Sequence, residues 1–179
     1  MVKNKVNKGN KEERVIELEM SQAIIDLARV TRVMAGGKRM RFRAAVVIGD
    51  RKSSVGTGVA KGADVTIAIN KAVAKARKNL IRSPIFNETI PCKIQEKFKA
   101  AKILLKPAPA GTGIIAGGAM RQVLELSGIK NVVGKNLGSN NKINIVSATM
   151  QALGKLDKMV EKRKSMFKKE KSKKESEEK

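Results

Sequence analysis

Apolar residues alternate along some stretches of this chain and recur every three to four residues along others. Alternation marks half-buried strands, and the longer period marks amphipathic helices. Ala23 to Met34 alternates through Ile25, Leu27 and Val33 and is rich in β-branched residues, which predicts a strand; Glu12 to Met20 before it fits a turn or two of helix. Gly36-Gly37 supplies a turn that permits positive φ. Phe42 to Ile48 and Ser54 to Ala60 form a hairpin across a short polar loop opened by Gly49-Asp50. From Asp64, a good starter near the positive end of a helix dipole, Val65, Ile69, Ala72, Ala76 and Leu80 recur at helical spacing until Ser83-Pro84 stops the run.

The second half gives two short strands, Thr89 to Ile94 and Lys102 to Lys106, around a polar turn and closed by Pro107-Ala-Pro109. A glycine-rich segment, Gly111 to Gly118, leads into a helix with Met120, Val123, Leu124 and Ser127 on one face, ended by Gly128. Val132-Val133 reads as a third strand, and Asn140-Asn141 caps a last helix carrying Ile143, Val146, Met150 and Leu153. The class is α+β, with two small domains ordered β-β-β-α and β-β-α-β-α. Residues 1–14 are a flexible basic arm, 15–84 the first domain, 85–154 the second. Residues 155–179 hold 11 basic and 6 acidic side chains and are expected to be disordered after a helical start.

Charge narrows the partner. The chain has 179 residues with 39 Lys+Arg against 16 Asp+Glu, a formal net charge of +23. Such an excess repels itself in a compact domain and attracts polyanions. The absence of His excludes imidazole catalysis and His-ligated metals. The single Cys92 excludes an internal disulfide, which fits a reduced, intracellular setting. No signal peptide or membrane span is expected from the apolar runs. Four Phe without Trp or Tyr leave almost no platform for stacking bases, so a nucleic acid would be held through phosphates, sugars and shape.

Glycines invite a phosphate-loop reading that their spacing refuses. Gly113 reaches Gly118 at the Walker interval, but Ala119 and Met120 follow where Lys and Ser/Thr belong. Gly56-Thr-Gly58 lacks the third dinucleotide-binding glycine, because Lys61 stands there. Asp50 and Asp64 sit where a turn and a helix start want Asp, with nothing to tune them as an acid–base pair. Cys92 reads as an inert thiol in a strand. Lys71, Lys75, Lys78 and Arg82 stack as a stripe on the first helix, which suits either a solvated face or phosphate contact. The strongest signal is Arg29 to Arg43: cations crowd two strands and a glycine turn with no acidic residue, and would repel unless an anion sat among them.

Three ordered blocks resemble bacterial small-ribosomal-subunit protein five. They are Arg29-Val-Thr-Arg-Val to Gly36-Gly37-Lys38-Arg39 with Phe42 and Val46-Val-Ile-Gly-Asp50; Val55-Gly-Thr-Gly58 with Lys61, Val65, Ala68-Ile69 and Lys71-Ala72; and Lys106 to Arg121 with Val123-Leu-Glu-Leu, Gly128 and Leu137-Gly-Ser-Asn140. The resemblance implies a double-stranded-RNA-binding-like first domain and a second domain of the protein-five type. It also implies a cytoplasmic component of the small subunit that binds 16S ribosomal RNA and supports assembly, the messenger entry channel and decoding accuracy. Its neighbours would be proteins four and eight, with protein three and messenger RNA nearby; no enzyme activity, cofactor, membrane contact or homo-oligomer is expected. The expected RNA-holding residues are Arg32, Lys38, Arg39, Arg41 and Arg43, with Gly36 and Gly37 admitting the RNA backbone and Lys61, Lys71, Lys75 and Lys78 in second rank. Family members usually carry a basic residue at Ala35, Gly at Ser53 and Ala60, Glu at Asp64 and His at Cys92. A nucleotide-using enzyme and an unspecific nucleic-acid coat are the rival readings.

Overall fold

Two four-stranded sheets, each covered on one face by helix, build the computed structural model, which describes residues 20–177. The basic arm expected at 1–14 lies outside the described residues. In the first sheet β1 (Ser21–Met34), β2 (Gly37–Gly49), β3 (Ser54–Gly62) and β4 (Leu80–Arg82) lie in chain order, all antiparallel, and α1 (Val65–Lys78) packs on one face. The helix is shorter than its apolar spacing predicts. Asn79 ends it, and Leu80 passes into the edge strand, where it stays exposed. Asp64 takes the extended N-cap conformation, yet its side chain caps nothing; only its carbonyl accepts a bond, from Ala68 N–H at 3.1 Å.

What α1 buries is alanine. Ala68, Ala72 and Ala76 are fully buried, whereas Val65 and Ile69 are only half-buried. The reason lies in the facing strand, where a Cβ on Gly62 would stand 2.6 Å from Ala68 N, and one on Gly56 or Gly58 would run into the carbonyl oxygen of Ala76 or Ala72. Small residues on both elements let the helix backbone rest directly on the strand, so dispersion contact comes from main chain instead of long side chains.

In the second sheet the strands are β5 (Ile94–Phe98), β6 (Ala101–Pro107), β7 (Ile114–Ile115) and β8 (Val132–Asn136), ordered β5-β6-β8-β7, with β7 parallel to β8. Helices α2 (Gly118–Leu126) and α3 (Lys142–Glu177) cover one face. Three expectations are corrected. The strand predicted at Thr89 to Ile94 begins where that range ends, because Pro91 cannot donate to a ladder; Cys92 therefore lies half-buried in a bend. β7 has no counterpart in the sequence pattern, and it makes the second order β-β-β-α-β-α. The region from Lys155 continues α3 as helix to Glu177. Leu156 is fully buried, Lys155 Nζ meets Glu96 Oε2 at 2.6 Å, and beyond Gly154 the run contains neither Gly nor Pro.

One core joins the two sheets. Ile25, Val47 and Val55 point away from α1 and pack in the same cluster as Ile90, Leu105, Leu124 and Ile145. Arg51 N–H donates to the Leu126 carbonyl at 3.0 Å, and a Cβ on Gly49 would stand 2.7 Å from that carbonyl carbon. Gly128, at φ +85°, leaves room in turn for the carbonyl of Arg51.

The turn that makes this joint is held by Asp50, whose Oδ1 accepts backbone N–H bonds from Lys52, Ser53 and Ser54 at 2.8, 2.9 and 2.8 Å. Partial burial pushes the carboxyl up, but the backbone donors together hold it below its ordinary value of 3.8. The unfolded chain therefore takes up the proton first as pH falls. The turn's contribution is fully present above 3.8 and is lost as pH drops through the lower folded value. We expect Asp50→Ala to cost about 1–2 kcal/mol near neutral pH, at the low end because the group is partly solvated. The deficit against wild type should shrink in acid, which urea midpoints measured across a pH series check.

Candidate nucleic-acid interface

Beyond the pair Phe42 and Gly62 no third strand accompanies β1 and β2, and they continue as a two-stranded ribbon. Every residue from Thr31 to Arg41 is exposed. A ribbon of this kind buries almost nothing and is marginal on its own. Its end is closed by Ala35 and Gly36, the latter at φ +83°, while Gly37 already belongs to β2 and pairs with Met34.

Register then sorts the cations. Arg32 pairs with Arg39, Val30 with Arg41, Ala28 with Arg43, and Arg43 with Lys61 on β3, so Arg32, Arg39, Arg41, Arg43 and Lys61 share one face. Arg32, Arg39, Arg41 and Lys61 line a shallow groove of about 310 Å³ with Val30, Thr31 and Met34. None of these four cations has an ion-pair partner among the described residues. Directly opposed like charges, as in Arg32 and Arg39, destabilise a ribbon unless an anion lies between them.

Not every predicted cation joins them. Lys38 pairs with Val33 and belongs to the reverse face, since neighbouring residues of a strand alternate sides. Arg43 is engaged: its Nη2 lies 3.2 Å from Asp26 Oδ2, and Lys142 Nζ lies 3.3 Å from the other oxygen of the same carboxylate. That cluster fixes the ribbon's root to the start of α3. Lys71, Lys75 and Lys78 are exposed on α1, which covers the opposite side of the sheet, facing Ala44, Val46 and Ile48. Lys75 Nζ reaches over to the Val59 carbonyl at 3.3 Å. The helix stripe and the arginine face are thus separate surfaces.

The glycine-rich segment before α2 is internally occupied. Asn131 is buried, and its Oδ1 accepts the N–H groups of Gly111 and Gly113, each at 3.1 Å. Thr89 Oγ1 accepts Ala108 N–H at 3.3 Å, and Arg121 Nη2 donates to the Ile114 carbonyl at 2.9 Å. The Gly111 and Gly113 amides, which a phosphate loop could turn to an anion, are taken by Asn131. Sequence reasoning missed Asn131, for which a lone Asn before Val132-Val133 gives no periodic signal. Asn131→Leu removes both acceptor bonds and should cost about 2 kcal/mol, with exchange of the Gly111 and Gly113 amides accelerated. Unchanged amide protection there would refute the assignment.

Comparison with known families places both halves. The model of the ribosomal protein S5 N-terminal domain matches residues 20–84, and that of the ribosomal protein S5 C-terminal domain matches residues 96–165. Together they span about three quarters of the chain.

Proposed function

Because the chain belongs to the ribosomal protein S5 family, and is thus a non-catalytic structural component of the small ribosomal subunit, we propose that its β1–β2 ribbon grips 16S ribosomal RNA through the phosphates. One observation carries the reading: Arg32, Arg39 and Arg41 stand unpaired on one face of a ribbon that buries almost nothing, with Lys61 of β3 on the same face at its root. Neutralising phosphates relieves their mutual repulsion and releases counterions. Gly37 adds to this. Its φ is not positive and a Cβ there would meet nothing within 4 Å, so the fold does not require its bareness. A close-lying sugar–phosphate chain does.

Lys38 reaches the RNA from the reverse face, Arg43 anchors the ribbon, and Lys71, Lys75 and Lys78 make peripheral contacts from α1. The ribbon offers no ring on which a base could stack, since Phe42 at its root is half-buried under the sheet and the exposed Phe86 lies outside it. Recognition therefore rests on shape and backbone. The family resemblance supports the finer placement beside proteins four and eight, with protein three at the messenger entry, and a role in assembly and decoding accuracy.

The test is sedimentation. A tagged chain expressed in its own cells should travel stoichiometrically with the small subunit in sucrose gradients, and stay there after a wash in moderate salt. A chain found mainly in the light fractions, or stripped equally from every RNA, would sink the proposal in favour of an unspecific coat.

A further inference from the structure

The face of the second sheet turned away from α2 and α3 carries a cluster that the first-sheet reading leaves unused. Ala101, Ile103 and Leu105 of β6 point into the core, so Lys102, Leu104 and Lys106 point out. By register Lys97 of β5 lies directly opposite Lys102, Lys135 of β8 opposite Leu104, and Val133 opposite Lys106. All four lysines are exposed. The acidic residues that form ion pairs do so elsewhere: Glu96 faces inward to Lys155, Glu88 pairs with Lys130, and Asp26 with Arg43 and Lys142. Among the described residues none of the four has an ion-pair partner.

A like-charged cross-strand pair such as Lys97 and Lys102, with Cα atoms about 5 Å apart, is unfavourable in a free sheet. Two more cations within one or two strands compound it. The apolar content, half-buried Leu104 and Val133 beside exposed Ile115, is too small for the core of a protein interface, where lysine is depleted. Both features suit a phosphate backbone lying across the strands.

We propose that Lys97, Lys102, Lys106 and Lys135 form a second RNA-backbone site on the open face of the second sheet, separate from the ribbon. The proposal rests on the reading of the chain as an RNA binder, and its test separates the two. The full-length variant K97Q/K102Q/K106Q/K135Q is compared with wild type and with R32Q/R39Q/R41Q for binding to a 16S ribosomal RNA transcript across a salt series. Each phosphate that is no longer neutralised lowers the steepness of the salt dependence by about one. The lysine variant should see its slope fall by about four and bind about 30-fold more weakly at physiological salt.

If its affinity and slope match wild type while the arginine variant loses both, the second site is refuted and the ribbon stands. If neither variant changes, both fall. Acetylation of the wild-type chain gives an answer independent of any folding defect: RNA should shield the four lysines but leave Lys130, held by Glu88, as reactive as before. Equal reactivity with and without RNA would overturn the proposal. So would shielding that appears only when ribosomal proteins are added, which would assign the face to a protein.

Discussion

Gly58→Val should strip α1 from the first sheet and cost about 3 kcal/mol or more, a large part of what a domain this size commonly has. A Cβ at this position would sit 2.7 Å from the amide nitrogen of Ala76 and closer still to the carbonyl oxygen of Ala72. Both obstacles are main chain, so no side-chain rotamer relieves the clash, and the helix has to lift. Lifting it uncovers Ala44, Val46 and Ile48, over which no other helix packs among the described residues. Urea denaturation followed by circular dichroism checks this. Gly154→Ala provides the contrast: it lies inside α3 with nothing within 4 Å of an added Cβ, and should be neutral or stabilising by about 0.5–1 kcal/mol. Equal effects of the two would mean that the close seating of α1 on β3 does not support the fold.

Replacing Arg32, Arg39 and Arg41 together by Gln should weaken binding to 16S ribosomal RNA about 100-fold, at about 1 kcal/mol per arginine, and lower the salt slope by about three. Stability should move by less than about 0.5 kcal/mol, because all three side chains are exposed, and removing the Arg32–Arg39 repulsion acts in the favourable direction. The combination is diagnostic. A drop in affinity with an unchanged salt slope would mean that these arginines act through the fold of the ribbon and not through phosphates. Arg43→Gln differs in kind, since it leaves the Asp26 carboxylate with Lys142 alone, and should cost stability as well as affinity.

β1 is readable because its burial alternates, β2 and β3 because apolar runs flank a polar turn, and α1 because its buried alanines recur at helical spacing. The second sheet is less so, for reasons that lie in particular residues. Along β5 the inward positions are Ile94, Glu96 and Phe98, and the middle one is a carboxylate matched by Lys155, 59 residues away; a long-range ion pair conceals the alternation. β7 has two residues and exists only because β8 lies beside it. β4 is a similarly short strand, and no three-residue run carries a period.

In the candidate site, crowding of cations around the diglycine is legible, but their distribution is not. The turn closes at Ala35 and Gly36 instead of Gly36 and Gly37, and register is what sends Lys38 to one side and Arg39 to the other. The engagement of Arg43 by Asp26 depends on the β-bulge between Ile24 and Asp26, which no local pattern announces. Glycines 56 and 58 fail the dinucleotide-loop spacing in the sequence, which leaves them without a role; their meaning is steric, and it comes from a helix that follows them.

The interlock at Gly49, Arg51, Leu126 and Gly128 ties the turn after β2 to the end of α2. An adaptor with two independent lobes would let whatever each lobe holds drift apart. A joined one works more like a caliper: segments of a folding polymer held by both lobes would arrive at a set separation, and the second capture would cost less entropy for alignment.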